Sequence, residues 1–287
     1  MVNNGNNTKT LRHLFLFYKG CDKIPMHVIM GSQSRPDGSF PVSEVFEYYR
    51  NTKQIPTTSA VNPQEYIDFF TKLRTENPDA DILHIAYTAK ASSTYQNTVI
   101  ALEELSNHFS EHRIFLADSK NVSGGISLIC EKAAEIVRSA EDGQEALNRL
   151  QYWIDRARVS FLPNTLEYLK AGGRVSNAAY LGASILKLKP LINIVDGRLV
   201  ASKKYRGNME HVAFAYMQEF IEQNQLDREI LYLFYIEGFP MELFEQLMEH
   251  ARRMGFRKVM KTQVGCVISC HGGPGAFGVA GFAKEDA

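Results

Sequence analysis

The run Ile-Leu-His-Ile-Ala-Tyr (82–87) is followed by Thr-Ala-Lys-Ala-Ser-Ser-Thr (88–94) and then by a segment carrying Val99, Ile100, Leu102 and Leu105. A short apolar run ending in small polar residues reads as a strand, and the apolar spacing after it reads as a helix. The hydroxyl cluster Ser92, Ser93 and Thr94 therefore falls between the carboxyl end of a strand and a helix N-terminus. In an open parallel sheet ligands bind there, and the helix dipole favours an anion.

The same unit recurs outward from this point. Residues 113–117 form a strand, 118–125 a polar and glycine-rich loop, and Ile129, Ala133, Ile136 and Val137 mark a helix. A further helix over 145–157 carries Leu147, Leu150, Trp153 and Ile154, and 159–162 is another short strand. This alternation predicts right-handed βαβ connections and a parallel sheet through about residue 162. Upstream, residues 24–30 read as a strand and 31–41 as a turn-rich segment containing Pro36-Asp37-Gly38. Ser43 is expected to cap a short helix with Val45, Phe46 and Tyr49 on one side. Residues 55–62 read as a loop that places Thr57, Thr58 and Ser59 before a helix capped by Asn62, with Pro63 in its first turn. Those hydroxyls suit ligand contact or local turn bonding equally well. Residues 1–10 are polar, and 11–18 are apolar but too short to assign.

Beyond residue 162 the pattern changes. A short helix (165–170) stops at Gly172-Gly173, and Arg174-Val175-Ser176 opens an apolar helix to 188. Residues 190–195 and 199–204 flank Asp196-Gly197, a type I′ hairpin signal. A helix to about 223, a strand over 229–235, a helix over 240–254 and a strand over 257–264 complete the series. The fold class predicted is α/β in two domains. Residues 1–162 form an N-terminal domain with a mostly parallel sheet flanked by helices. Residues 163–287 form a C-terminal α+β domain with a mixed or antiparallel sheet, and a ligand lies between the two.

Near the end stands Val-Gly-Cys-Val-Ile-Ser-Cys-His-Gly-Gly-Pro-Gly-Ala-Phe-Gly (264–278). Its β-branched start reads as a strand that stops at His271, where glycines expose backbone N–H groups to an anion. A histidine at such a lip is placed to bond a ligand; the plainer reading is a hairpin turn with a surface histidine.

Composition narrows the class. With 287 residues, 45% apolar and 22% charged, the chain can bury a sizeable core. Lys+Arg and Asp+Glu both total 32, so no general attraction to nucleic acid or anionic membrane is implied, and membrane contact would be at most transient. Seventeen Phe, thirteen Tyr and nine Met suit a large apolar interior or an apolar ligand. Of the four cysteines, Cys21, Cys130, Cys266 and Cys270, none forms a CxxC pair. A zinc site using Cys266, Cys270 and His271 is conceivable, but buried free thiols are expected. The lack of a signal peptide or long apolar run predicts a cytoplasmic protein.

Eight segments in order carry a resemblance: Pro-Thr-Thr-Ser (56–59), Ser-Ser-Thr-Tyr-Gln (92–96), Ala-Asp-Ser (117–119), Leu-x-Tyr-Leu-x-x-Gly-Gly-Arg-Val-Ser (166–176), Leu-Lys-Pro-Leu (188–191), Asp-Gly (196–197), Tyr-Arg-Gly (205–207) and Cys-His-Gly-Gly-Pro-Gly-Ala (270–276). Together they resemble the DegV family of bacterial two-domain fatty-acid-binding proteins. The resemblance implies a long-chain fatty acid buried between the domains and no other cofactor. Its carboxylate would be held by Thr58, Ser59, Ser92, Ser93, His271 and Gly272. Arg174 and Arg206 would lie near the mouth, where a fatty-acid kinase would dock and phosphorylate the carboxylate. The chain departs from the family at its start, where residues 1–23 lack the usual Asp-Ser-Thr-like turn. Ser93 also stands where glycine is usual, a strained choice if that backbone has positive φ. Ala60 and Val61 replace a Gln-Pro pair. An alternative from another class is a serine hydrolase or acyltransferase with Ser92 as nucleophile, His271 as base and Asp118 as orienter. No Gly-x-Ser-x-Gly elbow supports it.

Overall fold

The computed structural model describes residues 13–15, 22–106, 113–177 and 188–285. Its strands are β1 (His13–Phe15), β2 (His27–Met30), β3 (Gln33–Pro36), β4 (Thr57–Ser59), β5 (Ile82–Ala86), β6 (Ile114–Asp118), β7 (Ala157–Leu162), β8 (Leu188–Val195), β9 (Arg198–Arg206), β10 (Leu226–Tyr235), β11 (Lys258–Gln263) and β12 (Phe277–Ala283). The helices are α1 (Ser43–Thr52), α2 (Pro63–Glu76), α3 (Thr94–Ser106), α4 (Gly124–Ile136), α5 (Gly143–Arg156), α6 (Glu167–Gly172), α7 (Met209–Gln223), α8 (Met241–Arg253) and α9 (Cys266–Gly272). The fold is a mixed α/β arrangement, as the alternation of strands and helices predicts.

The described residues form three sheets. The first is parallel in the order β1-β5-β6, with Ile82–Ala86 buried throughout. The second has six strands in the order β11-β10-β12-β7-β8-β9, and only β10 and β11 run parallel within it. The third is a small antiparallel sheet, β3-β2-β4. Helix α4 packs on β7, β10 and β12, while α7 and α8 cover a second core on the same six-stranded sheet. That sheet is thus buried on both sides, which suits its apolar central strands.

Several local readings are realised. Asn62 caps α2 in a capping box with Glu65, and Pro63 opens the helix. Asp196 (φ 46) and Gly197 (φ 77) make the β8–β9 hairpin turn. Gly173 ends α6 in the left-handed conformation, φ 63.

Others need correction. The strand at 157–162 does not extend the parallel sheet. It runs antiparallel between β12 and β8, because the helix before it crosses to the second sheet. The turn-rich segment 31–41 contains β3, and the loop 55–62 contains β4, both edges of the small sheet. Ser43 makes no cap bond; the N-cap position of α1 is Val42. Residues 264–271 are not a strand: β11 ends at Gln263 and Cys266–Gly272 is helical. The glycine-rich stretch after it becomes β12, buried along its whole length. There Gly278 faces the Phe234 ring so closely that a Cβ would overlap it, and Gly124 of α4 meets the same ring. Residues 174–177 are not helical and Leu188 begins β8, so the apolar helix expected there does not start at Arg174 or reach 188; its residues 178–187 and most of the 11–18 run lie outside the described residues.

Candidate functional site

His271 sits in the last turn of α9, and its position depends on parts far away in sequence. The α9 N-terminus is satisfied by Asp37, whose carboxylate accepts from Cys266 N (2.7 Å) and Val267 N (3.2 Å). Asp37 itself stands in the turn just after β3, tied back by its own N–H to Met26 O at 2.8 Å. Gly265 leaves the room, since a Cβ there would lie 2.8 Å from the carboxylate. At the other end Gly172 of α6 abuts the imidazole, and any side chain at that position would collide with Nδ1.

The imidazole Nε2 lies 2.9 Å from Thr58 Oγ1 on β4, while Nδ1 is buried with no hydrogen-bond partner among the described residues. Burial, with a smaller push from the Arg174 charge, lowers the His271 pKa from 6.5 to about 4. The ring is neutral at pH 7. Thr58 and His271 therefore present a polar pair, carrying no charge of its own, at the edge of an apolar space. Arg174 donates from Nη1 to Gly172 O at 2.6 Å, which holds its charge beside His271.

The space comprises two cavities. A small one of about 40 Å³ is lined by His271, Gly272, Phe161, Leu199, Phe277 and Ser123, among others. A larger one of about 280 Å³ takes in Met26, Tyr66, His84, Ile85, Thr94 and Ile126. Tyr87, Ser123, Val264 and Ile268 line both, so the two adjoin. The walls are mostly apolar, and His271 closes one end.

The expected site residues are only partly brought together. Thr58, His271 and Gly272 converge, and Gly272 is needed because a Cβ would overlap Ile236. Ser59, the next residue along β4, belongs to the other face of that strand. Ser92 bonds locally, its Oγ lying 2.7 Å from Thr94 Oγ1 and accepting from Thr94 N at 3.2 Å. From that loop Thr94 is the residue that reaches the large cavity. Ser93 is exposed and is not among the positive-φ residues, so the strain feared for it does not arise. Arg206 is exposed, seven residues along β9 from Leu199, roughly 20 Å of extended strand. Arg174 alone of the two arginines approaches His271.

The hydrolase constellation does not form. Asp118 accepts from Ala89 N (3.3 Å) and Lys120 N (2.9 Å), and His271 Nδ1 has no carboxylate beside it. Cys266 and Cys270 share a face of α9, and burial raises their thiols to about 11 and about 12, so they stay protonated.

Tyr87, Ser123 and His84 are lining residues that escape the sequence reading. Ser123 stands at the N-cap of α4 with φ 50 and ψ −127, a conformation rare outside glycine, and its Oγ has no partner among the described residues. The loop 118–125 is a second strand-to-helix turn, and that was the available signal.

The DegV family model, described as an uncharacterised protein family, matches residues 8–284. The chain belongs to the DegV family. A DegV domain-containing protein of Deinococcus radiodurans is 25% identical over 283 residues, covering 98% of this chain and 96% of its own length. Among solved structures, a Thermus thermophilus protein described as a fatty-acid-binding DegV family protein superposes with a TM-score of 0.80 at 23% identity, covering 92% of each chain. The Streptococcus pneumoniae Fatty Acid Kinase (Fak) B3 protein, loaded with linoleic acid, gives 0.80 at 15% identity and the same coverage. Those likenesses establish the shared fold. Among the described residues, no helix is long and apolar enough to cross a membrane.

Proposed function

We propose that this DegV-family chain binds a long-chain fatty acid as its ligand and presents it to a fatty-acid kinase, acting as a carrier and not as an enzyme. The observation that carries this reading is the Thr58–His271 pair, 2.9 Å apart, with His271 lining an apolar cavity that adjoins a larger one. A carboxylate is well matched by a hydroxyl, an imidazole N–H and a nearby guanidinium. Each buried CH₂ of an acyl chain adds about 0.8 kcal/mol, so the tail supplies most of the affinity. The orphaned Nδ1 of His271 and its small-residue surroundings leave the ring ready to change partners when an anion enters. Arg174 supplies positive charge at the same end, held on the Gly172 carbonyl. The DegV relatives described as fatty-acid binding and as a fatty-acid kinase B component support both halves of the reading.

The test is native mass spectrometry of protein purified from bacteria, followed by denaturation and lipid analysis. One fatty acid per chain is expected, and phosphorylation of its carboxylate when a fatty-acid kinase and ATP are added. Protein that emerges free of lipid and fails to take up added fatty acid would remove the proposal.

A further inference from the structure

Among the described residues, three side chains lining the adjoining cavities, His84, Ser123 and His271, carry a buried polar atom with no hydrogen-bond partner. A carboxylate held at Thr58 and His271 does not account for all of them. His84 on β5 is 2% exposed, and neither ring nitrogen is partnered. It packs edge-on against Tyr66 and Phe70, with ring centroids 5.4 Å away in each case. The Ser123 Oγ is buried and unpartnered in a backbone conformation that serine rarely adopts.

Buried polar groups are as a rule hydrogen-bonded, and each exception points to an ordered water or a ligand atom. Burial lowers the His84 pKa to about 4, so its ring is neutral and offers one N–H donor and one bare nitrogen acceptor. A methylene chain answers neither nitrogen. A carboxylate could answer only the donor. A hydroxyl both donates and accepts, and is the smallest group that suits either side of a neutral imidazole.

We propose that the 280 Å³ cavity is built for an acyl chain carrying a hydroxyl group along its length, with His84 as the residue that reads it. This rests on the fatty-acid reading above and names the substrate class within it. Tyr87 and Ser123 stand where the two cavities meet, on the way to His271. His84 lies three residues earlier along the chain, about 10 Å of extended strand, which places its station away from the carboxylate and near mid-chain.

The experiment uses delipidated full-length protein and a displacement assay with stearic acid and with stearic acid hydroxylated near mid-chain. The wild type is expected to favour the hydroxylated acid by about tenfold, equivalent to ~1.4 kcal/mol. His84→Phe keeps an aromatic ring against Tyr66 and Phe70 and is expected to bind both acids with no preference. Equal or weaker binding of the hydroxylated acid by the wild type overturns the inference while leaving the fatty-acid reading standing. A preference that survives in His84→Phe overturns the role of His84. Failure of both acids to bind overturns the fatty-acid reading itself. Should His84→Phe not fold, nitrogen NMR of the wild type decides: the His84 ring signals must shift with the hydroxylated acid and not with stearic acid, and identical spectra sink the idea.

Discussion

Two segments deliver polar groups to the same pair of cavities, and they are held in place by different means. The β5–α3 segment is organised locally: Ser92 bonds Thr94, the Ser93 carbonyl accepts from Asn97, and the strand lies in a parallel sheet. The β11–α9–β12 segment is organised from a distance. Its helix is capped by Asp37, 229 residues away in sequence, and in its final strand Gly278 leaves room for the Phe234 ring of β10. Local signals reach a reader of the sequence; a cap or a packing partner supplied by the fold does not.

The largest test of this contrast sets His84, in the first segment, against His271, in the second. Burial lowers each pKa from 6.5 to about 4, and in both cases the neutral form is the one the fold accommodates. Between those two values the unfolded chain binds the extra protons, so stability falls as pH drops from about 6.5 and levels off below about 4. Each group can contribute on the order of 3 kcal/mol to that loss. Urea unfolding of delipidated protein at pH 7 and pH 4.5 should show it, and His84→Phe and His271→Gln should each remove a share. A bound carboxylate would favour the charged form of His271 and shrink its share alone. Identical midpoints at the two pH values would mean that neither ring is held neutral.

Next in size is Gly278→Ala. The new methyl group must push the Phe234 ring out of the α4 contact, and overpacking of this kind costs about 1–3 kcal/mol. A thermal melt of the variant reads it directly. An unchanged melting temperature would mean that β12 does not depend on glycine for its place.

How much was legible follows the same division. The alternation of strands and helices, the Asn62–Glu65 capping box and the Asp196-Gly197 turn all lie within a few residues of their partners, and each was readable. His271 was found as a residue but placed on the wrong element, since nothing near Cys266 announces a helix start. Glycines at 272, 273, 275 and 278 read as a turn, although the fold uses the last to admit an aromatic ring. Ser92 and Thr94 are equivalent in the sequence, and only geometry shows that Thr94 lines the cavity. Tyr87 looked like the last residue of a strand, and Ser123 like a loop residue.

A matched pair of cap deletions sharpens the point. Asn62→Ala removes a local cap and Asp37→Ala a distant one, and each should cost about 1 kcal/mol, up to ~2. Their consequences should differ. Asn62→Ala ought to leave the His271 environment intact, whereas Asp37→Ala loosens α9 and with it the contact between His271 and Thr58. Fatty-acid retention at equal folded fraction separates them. If both variants retain lipid alike, α9 does not need its cap to hold the site.

The smallest expected effect belongs to the arginines, where resemblance alone would treat Arg174 and Arg206 as equals. Arg174 is anchored to the Gly172 carbonyl at 2.6 Å, and its charge helps to keep His271 neutral. Arg206 is exposed on β9, well along the strand from the residue that lines the cavity. Arg174→Ala should therefore raise the His271 pKa partway back toward 6.5, since the larger contribution, burial, remains. Arg206→Ala should leave that titration where it is, and change stability by no more than ~0.5 kcal/mol. Any defect of Arg206→Ala should appear only when a kinase must dock, as slower phosphorylation of acid that is bound normally, because a planar guanidinium on the surface suits recognition of carboxylates and phosphates. Proton NMR of His271 in the two variants distinguishes the arginines. If Arg206→Ala shifts the His271 titration as far as Arg174→Ala does, the two act on one site and the separation drawn from their places on the fold is wrong.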